Sequence, residues 1–298
     1  MQYEVETLAS DGNLCGEAPT WDAAGNSILW VDADSALIFR LSLSDEKKSV
    51  ISRGLPVAGI ALNRNGGMIF AGAAGLHLWR AQDDYKTIVS EHDGESLVFN
   101  DIIAGPKGRI YAGTYYWGEN GMEKTGKFYL IDTDGAVRVM DEGIKISNGL
   151  GFSPDNQTLY YADSGARCIY AYDVNADTGD LMGRRNFVEV PLDEGIPDGL
   201  TVDADGYVWS AQWYGRQVVR YDPDGGVERR IPTPAMQTSS VAFGGPDLTD
   251  LYITSAGQYW PSDLIPSGFN TEAFMGGSLY RIRLDIRGKP EHVADFQC

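Results

Sequence analysis

The stretch Ile146-Ser147-Asn148-Gly149-Leu150-Gly151-Phe152-Ser153-Pro154-Asp155-Asn156-Gln157-Thr158-Leu159-Tyr160-Tyr161-Ala162-Asp163-Ser164 carries the plan of the chain. A polar residue beside a glycine leads into a short apolar strand. A turn follows at 153–157, and a second strand, 158–162, returns and ends in polar residues. The phrase recurs at Ile196-Pro197-Asp198-Gly199-Leu200, continued by Val202, a turn at 203–206 and a strand at 207–211. Two hairpins with one internal spacing indicate a repeat.

Working outward, six copies align on their turns, at 22–26, 63–67, 105–108, 153–157, 203–206 and 244–250. Strands rich in Val, Ile, Tyr and Trp flank each turn, and a third strand follows at 37–41, 76–79, 128–131, 168–172, 217–221 and 278–284. Outer strands are visible at 48–52, 87–90, 137–140, 187–190 and 227–231. A period of roughly 40–50 residues with about four strands per unit predicts an all-β chain: a six-bladed β-propeller with four-stranded antiparallel blades. It is expected to form one domain over 1–298. The sixth blade has two candidates for its outer strand, 3–8 and 291–296. The N-terminal one is favoured, because pairing the two ends of the chain leaves no exposed edge.

The formal net charge of −18 argues against nucleic acid, whose phosphates call for a basic partner. No apolar run is long enough to cross a membrane. The first twelve residues lack a signal-peptide pattern. Cys15, Cys168 and Cys298 have neither disulfide-framework nor zinc spacing, so a cytoplasmic setting is expected. His77, His92 and His292 fall outside the register described next, and no Gly-x-Ser-x-Gly motif supports serine-type hydrolysis.

The residue that precedes each innermost strand is Glu17, Ala58, Asn100, Asn148 or Asp198, with the sixth near 238–240. In a propeller this register lies at one mouth of the central channel, so four blades aim oxygen atoms at a common axis. Such oxygens suit Ca²⁺, Mg²⁺ or Mn²⁺, and carboxylates also accept Zn²⁺ or Fe²⁺. Asn-Gly and Asp-Gly also form hairpin turns. Here each blade already has its hairpin turn some residues later, and Glu17 and Asn100 share the register without a glycine. The loop from second to third strand opens on the same mouth. Two of these loops are long, at 115–127 and 255–277, and aromatic residues including Trp117, Trp213, Tyr214, Tyr259 and Trp260 are expected to line a largely apolar pocket there.

On Gly16-Glu17-Ala18-Pro19-Thr20-Trp21, Phe99-Asn100-Asp101, Gly113-Thr114, Ser147-Asn148-Gly149-Leu150, Phe152-Ser153-Pro154-Asp155 and Pro197-Asp198-Gly199-Leu200, the chain resembles the senescence-marker-protein/gluconolactonase, or regucalcin-like, family over essentially its whole length. The resemblance implies a six-bladed propeller with one divalent metal in its channel, held by Glu17, Asn148 and Asp198, with Asn100 beside it toward substrate or water. Two departures stand out. Val98 occupies the place of an arginine that holds sugar hydroxyls in sugar lactonases. Gly113-Thr114 continues as Tyr115-Tyr116-Trp117-Gly118-Glu119, where many members have methionine and then an acid, so Glu119 is the candidate for that acid.

The function expected is a divalent-metal-dependent lactone hydrolase, with Ca²⁺ the leading cofactor, Asp198 as general base, and Asn100, Trp117, Glu119 and Trp213 as substrate contacts. The partner is a small-molecule lactone, and the protein is expected to act as a monomer or small homo-oligomer. The alternatives are a metal-dependent phosphotriester or ester hydrolase on the same scaffold, and a calcium-binding propeller without catalysis.

Overall fold

Each predicted hairpin extends into a four-stranded antiparallel sheet in the computed structural model, which describes residues 3–118 and 121–297. Blade 1 runs Gly16–Asp22, Ser27–Asp32, Leu37–Ser42 and Lys48–Arg53 from the axis outward. Blade 2 is Gly59–Leu62, Met68–Gly72, Gly75–Ala81 and Asp84–Val89. Blade 3 is Phe99–Ala104, Ile110–Thr114, Gly126–Ile131 and Val137–Ile144. Blade 4 is Ser147–Phe152, Thr158–Asp163, Cys168–Val174 and Leu181–Glu189. Blade 5 is Ile196–Val202, Val208–Trp213, Gln217–Tyr221 and Val227–Pro232. Blade 6 is Thr238–Gly244, Asp250–Ser255 and Leu279–Arg283, completed by the N-terminal strand Glu6–Ala9. The six sheets form a β-propeller. The ring closes as the edge argument requires, and an Arg281–Glu6 ion pair at 2.6 Å reinforces the closing pair of strands.

Burial follows position in the blade. The second strands are covered on both faces by neighbouring blades, and Ser27–Asp32, Val208–Trp213 and Asp250–Ser255 are buried throughout. That is why residues 28–31 and 251–253 run apolar without alternating, while the polar residues of these two strands sit at or near their ends. The outer strand Leu181–Glu189 is mostly exposed and correspondingly polar. The core is divided into wedges between adjacent blades. One wedge joins Tyr111, Phe128 and Leu130 of blade 3 to Phe152, Tyr161 and Tyr172 of blade 4. Another joins Trp30 and Phe39 of blade 1 to Tyr252 and Leu279 of blade 6. Truncating a large aromatic in such a wedge costs about 3–5 kcal/mol.

The other candidate for the outer strand, 291–296, has a different place. The C-terminal tail crosses the base of the ring, away from the mouth. Gly288 bridges Asp203, Thr201 Oγ1 donates to Glu291 at 3.1 Å, and His292 bonds Asn156 at 2.7 Å. Farther on, Asp295 N donates to Gly108 O, and Ala294 bridges Asn63. The tail thus ties together the first turns of blades 5, 4, 3 and 2.

Candidate active site

Five of the six innermost strands slip register against their neighbour at the same end of the ring. The slips lie between Glu17 and Thr20, Phe99 and Asp101, Ser147 and Leu150, Pro197 and Leu200, and Thr238 and Ser240. Such a bulge leaves a residue unpaired and re-aims its side chain. The residues freed this way include Asn100, Asn148 and Asp198, whereas Glu17 stays paired with Val31 at the edge of its bulge. Blade 2, which offers only Ala58 at this register, pairs without a slip. In blade 6 the freed residue is Ser239, whose hydroxyl is committed to Gly16 O and Thr254.

The glycines after Asn148 and Asp198 are not turn residues, since both pairs lie inside strands. A Cβ at Gly149 would stand 2.2 Å from Leu200 N, and one at Gly199 would stand 2.0 Å from Ser240 Oγ. The glycines let neighbouring inner strands approach, which draws the polar residues together. Ala18 holds the corresponding place in blade 1 with a positive φ of 47°, a strained backbone for a residue with a Cβ.

Glu17, Asn100, Asn148 and Asp198 line one cavity of ≈ 330 Å³, with Asp101 beside them. The loops between second and third strands supply the upper wall: Asp34 from blade 1, Tyr115 from blade 3, Ser164 from blade 4, Trp213 from blade 5, and Gln258, Tyr259 and Trp260 from blade 6. Pro56, Val57, Ala58 and Val98 make an apolar flank.

Hydrogen bonds set the aim of the amides. Asn148 Nδ2 donates to Ser164 Oγ at 2.9 Å, and that hydroxyl donates to Pro197 O at 2.6 Å. The Asn148 oxygen is therefore turned the other way, where it accepts from Asn100 Nδ2 at 3.3 Å and keeps a lone pair to spare. Asn100 Nδ2 also donates to Ser147 O at 2.7 Å, which leaves the Asn100 oxygen uncommitted. Two buried aspartates hold the entry to these strands. Asp163 accepts from Lys145 N and Ile146 N, just ahead of Asn148. Asp32 accepts from Leu14 N and Cys15 N, just ahead of Glu17.

Electrostatically the floor is unbalanced. Asp198 is 3% exposed, whereas Glu17 and Asp101 keep a partial exposure that faces the cavity. Loss of water, and then the charges of Asp198 and Asp101, push the Glu17 carboxyl well above the usual carboxylate range. Burial and then Asp101 do the same to Asp198. Burial pushes Asp101 up to about 7. Burial, with Glu17 as the largest nearby charge, also raises the Cys15 thiol, so it remains protonated and inert. Among the described residues no lysine, arginine or histidine lines the cavity. Among the described residues no three His, Cys, Asp or Glu side chains gather at metal-ligating distance. The convergent donors are two carboxylates and an oriented amide oxygen. That all-oxygen, negatively charged, partly desolvated set fits a hard cation.

The roof is aromatic. Trp260 packs against Trp117 at 4.8 Å, Trp213 at 6.3 Å and Tyr214 at 6.4 Å between ring centres. Trp213 lines the cavity. Trp117, on the hairpin Tyr116–Gly118 and Gly121–Lys124, lies behind Trp260 and faces an adjoining cavity with Lys145 and Asp263. Glu119 lies outside the described residues. Tyr214, expected on the pocket wall, braces Trp260 from behind and bonds Trp260 O and Ser262 Oγ.

Four contributors escaped the sequence. Asp101 adjoins Asn100 in a motif from which only the amide was taken. Asp34 and Tyr115 sit in blades 1 and 3 where Trp213 sits in blade 5, so the loop rule that found Trp213 reaches them too. Arg167, buried and with a positive φ of 56°, donates to Pro191 O, Glu194 O and Gly195 O and to Leu264 O of the long blade 6 loop, latching it to the ring. Nothing local in the sequence marks that role.

The family described as the SMP-30/gluconolactonase/LRE-like region matches residues 15–257. The chain belongs to this family. Pentonolactonase XacC of Haloferax volcanii is 34% identical over 282 residues, covering 95% of each chain. Among solved structures, a luciferin-regenerating enzyme superposes with a TM-score of 0.88 at 28% identity, covering 99% of this chain and 100% of that one. The calcium-binding protein regucalcin of Agrobacterium tumefaciens gives 0.87 at 27%, covering 100% and 99%. No helix among the described residues is long and apolar enough to cross a membrane.

Proposed function

We propose that the protein is a lactonase working with one divalent cation, Ca²⁺ ahead of Zn²⁺, Mg²⁺, Mn²⁺ or Fe²⁺. The observation that carries this is the lining of the cavity: Glu17, Asp198 and Asp101 share it and raise one another's charge cost, with no basic side chain among the described residues to offset them. The likeness to a pentonolactonase and to a calcium-binding regucalcin supports the choice of substrate and ion. Glu17, Asn148 and Asp198 would hold the cation. When bound, it would supply Lewis-acid polarisation of the lactone carbonyl and a more acidic water.

The chain's own residues do the rest. Asp198 accepts, at a carboxylate oxygen, the proton of the water that adds to the carbonyl carbon. It returns that proton to the ring oxygen as the acyl C–O bond breaks, giving the hydroxy acid. The uncommitted Asn100 oxygen accepts from the water or from a substrate hydroxyl. Trp213, Tyr259 and Trp260 cover the reacting group against bulk water, and Trp117 holds Trp260 in place.

A pH-indicator assay on aldonolactones, aliphatic lactones and one phosphotriester tests this, comparing chelated protein with protein refilled with each cation. Acid release from one lactone class, abolished by chelation and restored by refilling, is the expected result. Turnover of the phosphotriester alone would move the assignment to ester hydrolysis of that class. Silence on every compound with cation bound would leave a calcium-binding propeller without catalysis.

A further inference from the structure

Six blades built on one plan can be compared place by place. At the channel mouth a blade presents one residue before its innermost strand and another where the loop after its second strand begins. Blade 1 presents Glu17 and Asp34, blade 3 Asn100 and Tyr115, blade 4 Asn148 and Ser164, and blade 5 Asp198 and Trp213. Blade 2 presents Ala58 and Ala73. Its second and third strands are joined by Ala73 and Ala74 alone, with Gly72 paired to Gly75. Nothing larger than a methyl group therefore stands over blade 2 at either place. The cavity reaches Pro56, Val57 and Val98 there.

This wall is rigid, and its side chains carry no hydrogen-bonding group. A Cβ at Gly72 would stand 1.9 Å from Pro56 O, so the hairpin and the 56–58 segment lie backbone against backbone. Val57 is 2% exposed and belongs to the core wedge with Leu55, Ile60 and Phe70. Pro56 has no amide hydrogen, Ala58 N donates to Ala71 O at 2.7 Å, and Val98 O accepts from Tyr115 N at 3.2 Å. The outer end is open, since Pro56 and Ala73 are exposed. In ring order blade 2 faces blade 5 across the axis. Glu17, Asn148 and Asp198 come from blades 1, 4 and 5, so a carbonyl drawn to them leaves the rest of its molecule directed over blades 2 and 3.

We propose that the space over blade 2 is a slot for a hydrocarbon substituent, so that the preferred substrate is a lactone bearing an alkyl chain on its ring, with Ala58 and Val98 setting what fits. This substrate class rests on the lactonase reading for the reacting group. A hydroxyl sent into the slot loses water and gains no side-chain partner, whereas a methylene gains about fourfold in binding by leaving water. The gain levels off where the chain passes Pro56 and Ala73 into solvent.

The test uses γ-lactones carrying hydrogen, methyl, propyl or pentyl on the carbon bonded to the ring oxygen, and a propyl form with a hydroxyl on its first chain carbon. Their kcat/KM is measured in cation-loaded protein. Binding of the matching unreactive lactams is read from tryptophan fluorescence, since Trp213 and Trp260 line the cavity. Both quantities should rise about fourfold per methylene over the first few carbons and then level off. The hydroxyl should cost about 10-fold against plain propyl. Ala58→Leu, which fills the slot, should lower the pentyl-to-methyl ratio about 10-fold. Val98→Asn, which puts an amide on the wall with little change in size, should lower that ratio too and relieve the hydroxyl penalty. Values flat or falling with chain length, a hydroxylated chain preferred over the plain one, or variants that act equally on every chain would overturn the slot. Chain-dependent lactam binding without any turnover would sink the lactonase reading and leave the slot. Turnover indifferent to the chain would do the reverse, and neither binding nor turnover would remove both.

Discussion

The propeller buries acidic side chains at both ends, and it treats them in opposite ways. At the base, Asp203 is fully buried and fully answered. Its Oδ2 accepts from Arg220 Nε at 2.9 Å, Arg220 Nη2 at 2.7 Å and Trp209 Nε1 at 2.9 Å, and its Oδ1 from two backbone amides at 3.0 Å. Arg220 is itself stacked on Tyr207 at 3.6 Å. At the mouth, Glu17, Asp101 and Asp198 repel one another, and no basic residue among those described lines their cavity. The first arrangement carries its own positive charge; on the proposed assignment the second takes its from a bound cation. The base is made for stability and the mouth for binding.

Breaking the base should give the largest effect on the fold. Arg220→Ala leaves Asp203 buried and unpaired, which costs about 3–5 kcal/mol. Denaturant unfolding should show that loss, with cation affinity in the surviving folded fraction unchanged. A loss below about 1 kcal/mol would mean that the base is not the structural end.

Breaking the mouth should do the opposite. Glu17→Gln and Asp198→Asn remove a repelling charge, so in chelator each variant should melt higher than the wild type. Each should lose cation binding and about 10²- to 10³-fold in kcat, the usual size for removing one element of transition-state stabilisation. Calorimetric titration of the cation and the lactone assay read the two losses. Retained stoichiometric binding in both variants would take these residues out of the ligand set.

The same contrast predicts a pH dependence. In the cation-free fold the Asp101 carboxyl titrates at about 7, against an ordinary value of 3.8. Between these values the folded state holds a proton that the unfolded chain has released, so stability falls as pH rises through the window. Glu17 and Asp198 shift in the same direction. Chelated protein should melt lower at pH 7.5 than at pH 5 by roughly 5 °C or more, and saturating cation should flatten the difference. A melting temperature that climbs over this range in chelator would contradict an unbalanced mouth.

The two ends were not equally legible in the sequence. The blades were readable because each hairpin turn carries its own chemistry and the strands that flank it are rich in Val, Ile, Tyr and Trp. Glu17, Asn100, Asn148 and Asp198 were readable because a shared register brings them to one axis. The bulges that free Asn100, Asn148 and Asp198, and that flank Glu17, were not, since a slip of pairing depends on two strands at once. The glycines after Asn148 and Asp198 resembled turn formers, whereas their reason is a neighbouring blade 2.0–2.2 Å from a would-be Cβ. The tail at 291–296 has the apolar residues of a strand, and only closure by Glu6–Ala9 frees it to cross the base. Arg167 acts on Leu264, 97 residues away, and no local pattern encodes that.

The finest test of the mouth leaves every charge in place. Ser164 touches neither the floor carboxylates nor, on the proposed assignment, the ion. It accepts from Asn148 Nδ2 and donates to Pro197 O, and so keeps the Asn148 oxygen turned toward the cavity. Ser164→Ala removes that constraint and should weaken cation affinity about 10-fold, the low end for residues that orient a ligand from behind. Saturating cation should restore kcat, because the ligand set itself is intact. Ser164→Thr keeps the hydroxyl and should restore most of the affinity, which a loss due only to packing would not allow. If alanine leaves the cation titration unchanged, the orientation of Asn148 is not what holds the ion, and the mouth would bind through its carboxylates alone.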